Sequence, residues 1–418
     1  MTSKLLFILV FCYCQILFSQ QPEQQITPPE YIKTIQLTGG DSQYAGTPII
    51  KLGSPLRLTF DDITGEEADY YYRIKHYNFD WTPSQLYKNE YLEGFDETRI
   101  LDYENSFNTL QIYSHYRLTI PNQDIDRLKV SGNYMIEVYD SDDEIVFSRK
   151  FIVYEDITRI KAYTKRSRDL AYIDTRQSVQ FEINSPNTIL RDPKRNLKVL
   201  VLQNNDLNTA IDNLVPQFTI ANNLVYKYDV ESSFDAGNEF IAFDSKEVRT
   251  STVNIKHVEL EDLYHHYLFV DAVRGNRPYT YNPDINGNFV VRNLTADDSN
   301  VEADYVWMHF SLGCYEPLGN NELHIYGNFN NYTINETTKM TFDKSSKLYT
   351  NELLIKQGFY NYKYVLVSPD NTIDTGFISG NFDETENEYT IIPYYRPPAA
   401  RYDRVIGKGT ANSRNITN

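Results

Sequence analysis

Seven histidines, at positions 76, 115, 257, 265, 266, 309 and 324, are the first place to look for acid–base or metal chemistry. None forms a His-Glu-x-x-His pair, which would put two imidazoles on one helix face, and none sits in a Cys/His zinc spacing. His265 and His266 are adjacent, so a strand would send them to opposite faces and keep them off one ion. No Gly-x-Ser-x-Gly elbow and no glycine-rich phosphate loop occurs. A glycosidase needs only two carboxylates, but spacing alone does not select a pair from 57 Asp and Glu. The sequence names no catalytic residue, no metal ligand and no cofactor, and a non-enzymatic protein is expected.

Two acidic or amide-rich loops deserve the same scrutiny. Asp140-Ser141-Asp142-Asp143-Glu144 lacks the Gly and the distal bidentate Glu of a calcium loop. It lies between Tyr134–Tyr139 and Ile145–Val153, so it reads as a solvated hairpin tip. Asn282–Asn288 contains Asn286-Gly287, the signal of a tight hairpin turn. Cys314, in the strand-like run Trp307–Tyr315, reads as a small buried hydrophobe.

The elements that would position these residues are strands. The chain has 418 residues, with 35 Tyr and 22 Phe but only 4 Met and 2 Trp. Flat rings and β-branched residues fit a pleated surface. In Tyr134–Tyr139, Tyr134, Ile136 and Val138 alternate with Met135, Glu137 and Tyr139, the period-2 pattern of a strand with two faces. The one helical spacing is Leu207, Ala210, Ile211 and Leu214, with Asp206 as N-cap and Pro216 as stop. The net charge of −17 repels a phosphate backbone, so nucleic acid is excluded as a partner.

Lys4 followed by the apolar run Leu5–Phe11, with polar residues from Ser19, reads as a secretory signal peptide spanning 1–19. No later stretch reaches the ~20 apolar residues of a spanning helix, so an exported chain without membrane insertion is expected. The mature chain would keep only Cys314, so it has no internal disulfide, which suits a bacterial periplasm. Three strand-rich blocks follow: 28–155, 156–310 and 311–395. The short linkers near 155 and 311 point to a semi-rigid rod. The tail, 396–418, carries Arg396, Arg401, Arg404, Lys408 and Arg414 against Asp403 alone and has no core-forming pattern. It reads as a basic extended tail, either a loose end or a peptide that orders on a partner.

Longer patterns carry a family likeness. Gly327-Asn328-Phe329-Asn330 and Gly358-Phe359-Tyr360-Asn361-Tyr362-Lys363-Tyr364 resemble the early-set immunoglobulin-like sandwich. Tyr77–Trp81, Leu86–Phe95 and Asp102–Gln111, leading into His115-Tyr116, resemble the plug protein of the type 9 secretion system, an exported family of the Bacteroidota. Asn238-Glu239-Phe240, Tyr394–Pro397 and Arg401–Arg404 extend the resemblance over nearly the whole mature chain. The fold expected is all-β, with tandem immunoglobulin-like β-sandwich domains. The resemblance implies a periplasmic plug that binds the large outer-membrane translocon barrel on its inner side and closes its lumen when no substrate is exported. No oligomer is expected.

A reversible seal favours a polar interface with a few aromatic anchors. Trp81, Tyr87, Tyr91, Phe95 and Tyr103 lie between Tyr77 and Leu110, where no clean alternation appears, as in a long functional loop. They are the candidate partner-binding residues, with Arg396, Arg401 and Arg404 of the tail as a second contact. The rival is a carbohydrate-binding protein stacking sugar rings on Tyr326, Phe329, Tyr332 and Tyr360.

Overall fold

The computed structural model describes residues 22–40, 44–414 and 416. The expected signal peptide, 1–19, lies outside the described residues. The alternating Tyr, Phe and β-branched positions form strands throughout, and these pair into three β-sandwiches.

In the first sandwich, one sheet runs Ile32–Gly39, Leu56–Asp62, Ser114–Ile120 and Asp102–Asn105. The facing sheet runs Ile49–Lys51, Ile145–Tyr154, Gly132–Tyr139, Tyr71–Tyr77 and Thr98–Arg99. Tyr134, Ile136 and Val138 face the core between them. The opposite face of that strand is also buried, because extended residues 23–26 lie along the sheet. Ile26 donates its N–H to the Ser148 hydroxyl at 2.8 Å and accepts the Ser148 N–H at 3.2 Å, and Lys150 donates its N–H to Gln25 Oε1 at 2.9 Å. The hairpin at 140–144 is as expected: Asp142 and Glu144 donate backbone N–H groups to Asp140 Oδ1 at 2.9 and 3.1 Å. Cys314 is buried in an apolar cluster, also as expected.

Beyond residue 156 the sheets do not follow the blocks 156–310 and 311–395. The second sandwich takes Arg159–Arg166, Arg176–Asn184, Asn223–Tyr226 and Phe218–Ile220 in one sheet. Its other sheet pairs Leu197–Gln203 with Asp206–Ile211 on one side and Glu388–Tyr395 on the other. The third sandwich, 241–374, is inserted between Ser233–Asp235 and Glu388–Tyr395 of the second. Strand alternation is local and says nothing of this insertion, since Leu197 meets Tyr395 across almost two hundred residues.

Three further expectations are corrected. The helix at 207–214 is a strand, Asp206–Ile211, because Leu207 and Ala210 pack on the apolar cluster of Ile152, Leu200 and Tyr394. The tail is no loose end: Arg404–Val405 and Gly409–Asn412 pair with Glu388–Tyr395, and Val405 and Ile406 are buried. Asn286 (φ +54°) and Gly287 (φ +81°) do make a tight left-handed turn, but no strand precedes it, so no hairpin forms there.

Nor is the arrangement a rod, because each sandwich touches both others. The first meets the second through Ile152, Leu200, Leu202, Ile392, Tyr394 and Val405. Each such side chain, fully buried, contributes roughly 1.5–3 kcal/mol. The second meets the third where Tyr326 donates to Asp206 at 2.5 Å. The first meets the third through a buried ion pair, Lys356 Nζ to Asp61 Oδ2 at 2.6 Å. The Asp61 carboxylate also accepts from Tyr305 at 2.6 Å and contacts His115 Nδ1 at 2.6 Å. Burial alone would raise the Asp61 carboxyl, but the Lys356 ammonium and His115 hold it below the usual carboxylate range.

Candidate docking surface

The segment between Tyr77 and Leu110 is not one long loop but a chain of short pieces laid along the edges of the first sandwich. Asn78–Thr82 forms a turn, with Trp81 in the left-handed region (φ +61°) and its N–H bonded to the Asn78 carbonyl at 3.0 Å. A single helical turn, Lys88–Tyr91, follows. It is closed by Glu90, which accepts the Tyr87 backbone N–H at 2.8 Å while donating its own N–H to the Tyr87 carbonyl at 2.9 Å. Leu92–Gly94 then pairs with Ile125–Leu128, and a bulge at Gly94 breaks the register. Gly94 has φ +107°, and a Cβ there would lie 2.2 Å from the Asp124 carbonyl oxygen, so only glycine fits.

The candidate aromatics divide sharply on this frame. Tyr87 and Phe95 are 76% and 81% exposed. Tyr91 is buried, stacked on His76, with its hydroxyl donating to the Ile74 carbonyl at 3.2 Å. Trp81 is half-buried against the first–second junction, and the Lys150 ammonium sits 4.3 Å from its ring centroid. Tyr103 stacks on Tyr116 and donates to Glu67 at 2.6 Å. Trp81, Tyr91 and Tyr103 therefore close the sandwich, and Tyr87 and Phe95 are left to the surface.

The structure brings the second set of candidates to the same place. Arg401 forms an ion pair with Glu90, next to Tyr87. Arg396 pairs with Asp403 at 2.9 Å, and Asp403 accepts the Phe79 N–H at 3.0 Å. Arg404 bonds Glu155 at 2.7 Å. The three arginines are thus spent within the chain, tying the tail to the first sandwich, instead of standing free for a partner. Arg401 holds the Glu90 carboxyl below its ordinary pKa.

What spacing did not reveal is the ionic frame around the exposed rings. Lys88 bridges Asp96 at 2.7 Å and Glu97 at 3.2 Å, joining the residue after Tyr87 to the residue after Phe95. Burial works against the Lys88 ammonium, but these carboxylates raise its pKa above the ordinary value. Glu90, three residues after Tyr87, was a readable sign of the turn, since a Glu at the third helical position reaches back to the N-cap N–H. The result is two exposed aromatics set among paired charges, the pattern of anchor and polar rim.

Other chemistry finds little support. Among the described residues no cluster of His, Cys, Asp and Glu is arranged to hold a metal ion. His265 and His266 do diverge: His266 is buried on the Val248 carbonyl, whereas His265 contacts His309 at 2.8 Å. The sugar platform fails, because Tyr326, Tyr332 and Tyr360 are buried.

A family model for the first domain of the type 9 secretion system plug protein matches residues 32–155, which are the first sandwich. A crystal structure of a hypothetical protein from Parabacteroides merdae is 35% identical over 94% of this chain and 100% of its own, with a TM-score of 0.90. The chain belongs to the type 9 secretion system plug family. A collagen adhesin from S. aureus also aligns, at 9% identity over 92% of this chain and 94% of its own, but its TM-score of 0.13 carries no argument. No curated protein matches the sequence.

Family membership assigns the chain a role in type 9 secretion and an association with that system. It also places it among exported proteins, and no helix among the described residues is long and apolar enough to cross a membrane. The matching family model describes a secretion-system plug domain and is not a known enzyme family.

Proposed function

We propose that this chain is the periplasmic stopper of the type 9 translocon, docking on the large outer-membrane barrel and closing its lumen in the absence of substrate. The match of the first sandwich to the plug family is the observation that carries this reading. Physics supports it. A wide barrel has a water-filled lumen, and a body that covers its mouth must not fold away under load. Three sandwiches that each grip the other two meet that need better than a flexible string. Reversible docking needs a few aromatic anchors within a polar rim, which Tyr87 and Phe95 supply beside Lys88, Glu90 and Asp96.

The test is affinity purification of a tagged full-length copy from mildly solubilised envelopes, followed by mass spectrometry. A very large outer-membrane barrel is expected as the dominant partner. Polysaccharide-uptake proteins, or no barrel at all, would overturn the reading.

A further inference from the structure

Neither the fold nor the docking surface explains the setting of the Arg149 guanidinium. It is only 8% exposed, yet among the described residues no carboxylate forms an ion pair with it. Among the described residues its hydrogen bond goes from Nη1 to the adjacent Ser148 carbonyl at 2.8 Å, and its guanidinium lies 5.5 Å from the Phe147 ring centroid. Removing a guanidinium from water without a counter-charge is costly, so buried arginines are normally paired. Burial pushes its pKa down to about 10.

Arg149 lines a cavity of about 180 Å³ between the first and the inserted sandwich. A 150 Å³ cavity is known to admit benzene, so there is room for one modest apolar group. The walls supply it: Ile35, Phe289, Phe329 and Leu353 line the same space. Asn330 lines it as well: its amide nitrogen donates to the Ile325 carbonyl at 3.2 Å, while its buried Oδ1 has no hydrogen-bond partner among the described residues. A buried guanidinium that pairs with no carboxylate, a buried acceptor without a donor, and an apolar wall thus share one cavity; the one carboxylate on its lining, Glu30, is exposed and acts on Lys33, which also lines it.

We propose that this cavity is a binding site for a carboxylate carried on a small apolar group with a neighbouring N–H or O–H donor. Arg149 takes the carboxylate through charge-assisted hydrogen bonds, Asn330 Oδ1 accepts from the donor, and the apolar wall takes the side chain. Two sources share this chemistry: a free α-substituted organic acid, and the last residue of a polypeptide with its free C-terminal carboxylate. The proposal does not depend on docking to the barrel.

The test is calorimetric titration of the full chain with N-acetyl-leucine, N-acetyl-leucinamide, 4-methylpentanoate and a hexapeptide ending in leucine. Saturable binding of N-acetyl-leucine is expected. The amide, which lacks the carboxylate, should bind roughly 10- to 100-fold more weakly, the worth of one hydrogen-bonded charge. 4-Methylpentanoate, lacking the donor, should fall between them. Arg149→Gln should lower N-acetyl-leucine affinity to the level of the amide, and Asn330→Ala to that of 4-methylpentanoate. Hexapeptide binding equal to or tighter than N-acetyl-leucine identifies the polypeptide source, and exclusion of the hexapeptide identifies the free acid. No N-acetyl-leucine binding up to 10 mM, or equal binding of acid and amide by the unaltered chain, would overturn the proposal without recourse to any variant.

Discussion

Replacing Lys356 by Met should loosen the inserted sandwich from the first. Lys356 and Asp61 are 1% and 0% exposed at their side chains, and their charged atoms are 2.6 Å apart. The variant leaves the Asp61 carboxylate in the interior with His115 and Tyr305 as its remaining neighbours. Breaking one side of a buried pair costs roughly 3–5 kcal/mol, whereas replacing both charges by apolar groups is often close to neutral. Lys356→Met should therefore lower stability by about that amount, and Asp61→Leu combined with Lys356→Met should recover most of it. The two tryptophans make the assay local, since Trp81 sits at the first–second junction and Trp307 in the inserted strand Tyr305–Gly313. Urea unfolding of Trp81→Phe and Trp307→Phe backgrounds should coincide in the parent and separate in Lys356→Met, with the Trp307 signal moving first. The pH dependence follows from the lowered Asp61 pKa. A carboxylate held below its unfolded pKa of ~3.9 stabilises at higher pH, and this is lost as pH falls through the folded value. The gap between parent and Lys356→Met should thus close in strong acid. A Lys356→Met loss under 1 kcal/mol at pH 7, or a double variant weaker than the single, would refute the ion-pair account.

Tyr87→Ala combined with Phe95→Ala should weaken co-purification with the barrel while shifting stability by less than about 0.5 kcal/mol, as exposed positions do; equal barrel recovery would remove them as anchors. Tyr91→Ala, by contrast, should destabilise by roughly 3–5 kcal/mol in urea, because it empties a buried aromatic site. Burial raises the Asp284 carboxyl to about 7. An acid whose pKa is raised on folding costs stability as pH climbs from its unfolded value of ~3.9 through the folded one. Thermal midpoints should fall as pH rises from about 4 to about 7, and Asp284→Asn should flatten that decline; parallel profiles would contradict it. Ile406→Ala should cost about 2–5 kcal/mol, whereas a loose tail would tolerate it, and urea unfolding decides between the two.

Several features were legible in the residues alone. The Tyr- and Phe-rich composition, the alternation at Tyr134–Tyr139 and the acidic tip at 140–144 depend on neighbours a few positions apart, so local pattern determines them. The resemblance across Tyr77–His115 pointed to the family for the same reason: it is written in contiguous residues. Tertiary structure decided what depends on distant partners. Leu207 and Ala210 keep a helical spacing, but the apolar junction beneath them recruits a strand. The tail looks polar and extended, yet Val405 and Ile406 complete a sheet edge and its arginines find Asp403, Glu90 and Glu155. Of five similar aromatics, only the fold distinguishes the buried Tyr91 from the exposed Phe95, because a bulge at Gly94 intervenes. Asp61 with Lys356, and Arg149 with Asn330, are joined across 295 residues in the first case and across an inter-sandwich cavity in the second. Charge and burial act through space, so no spacing along the chain records them.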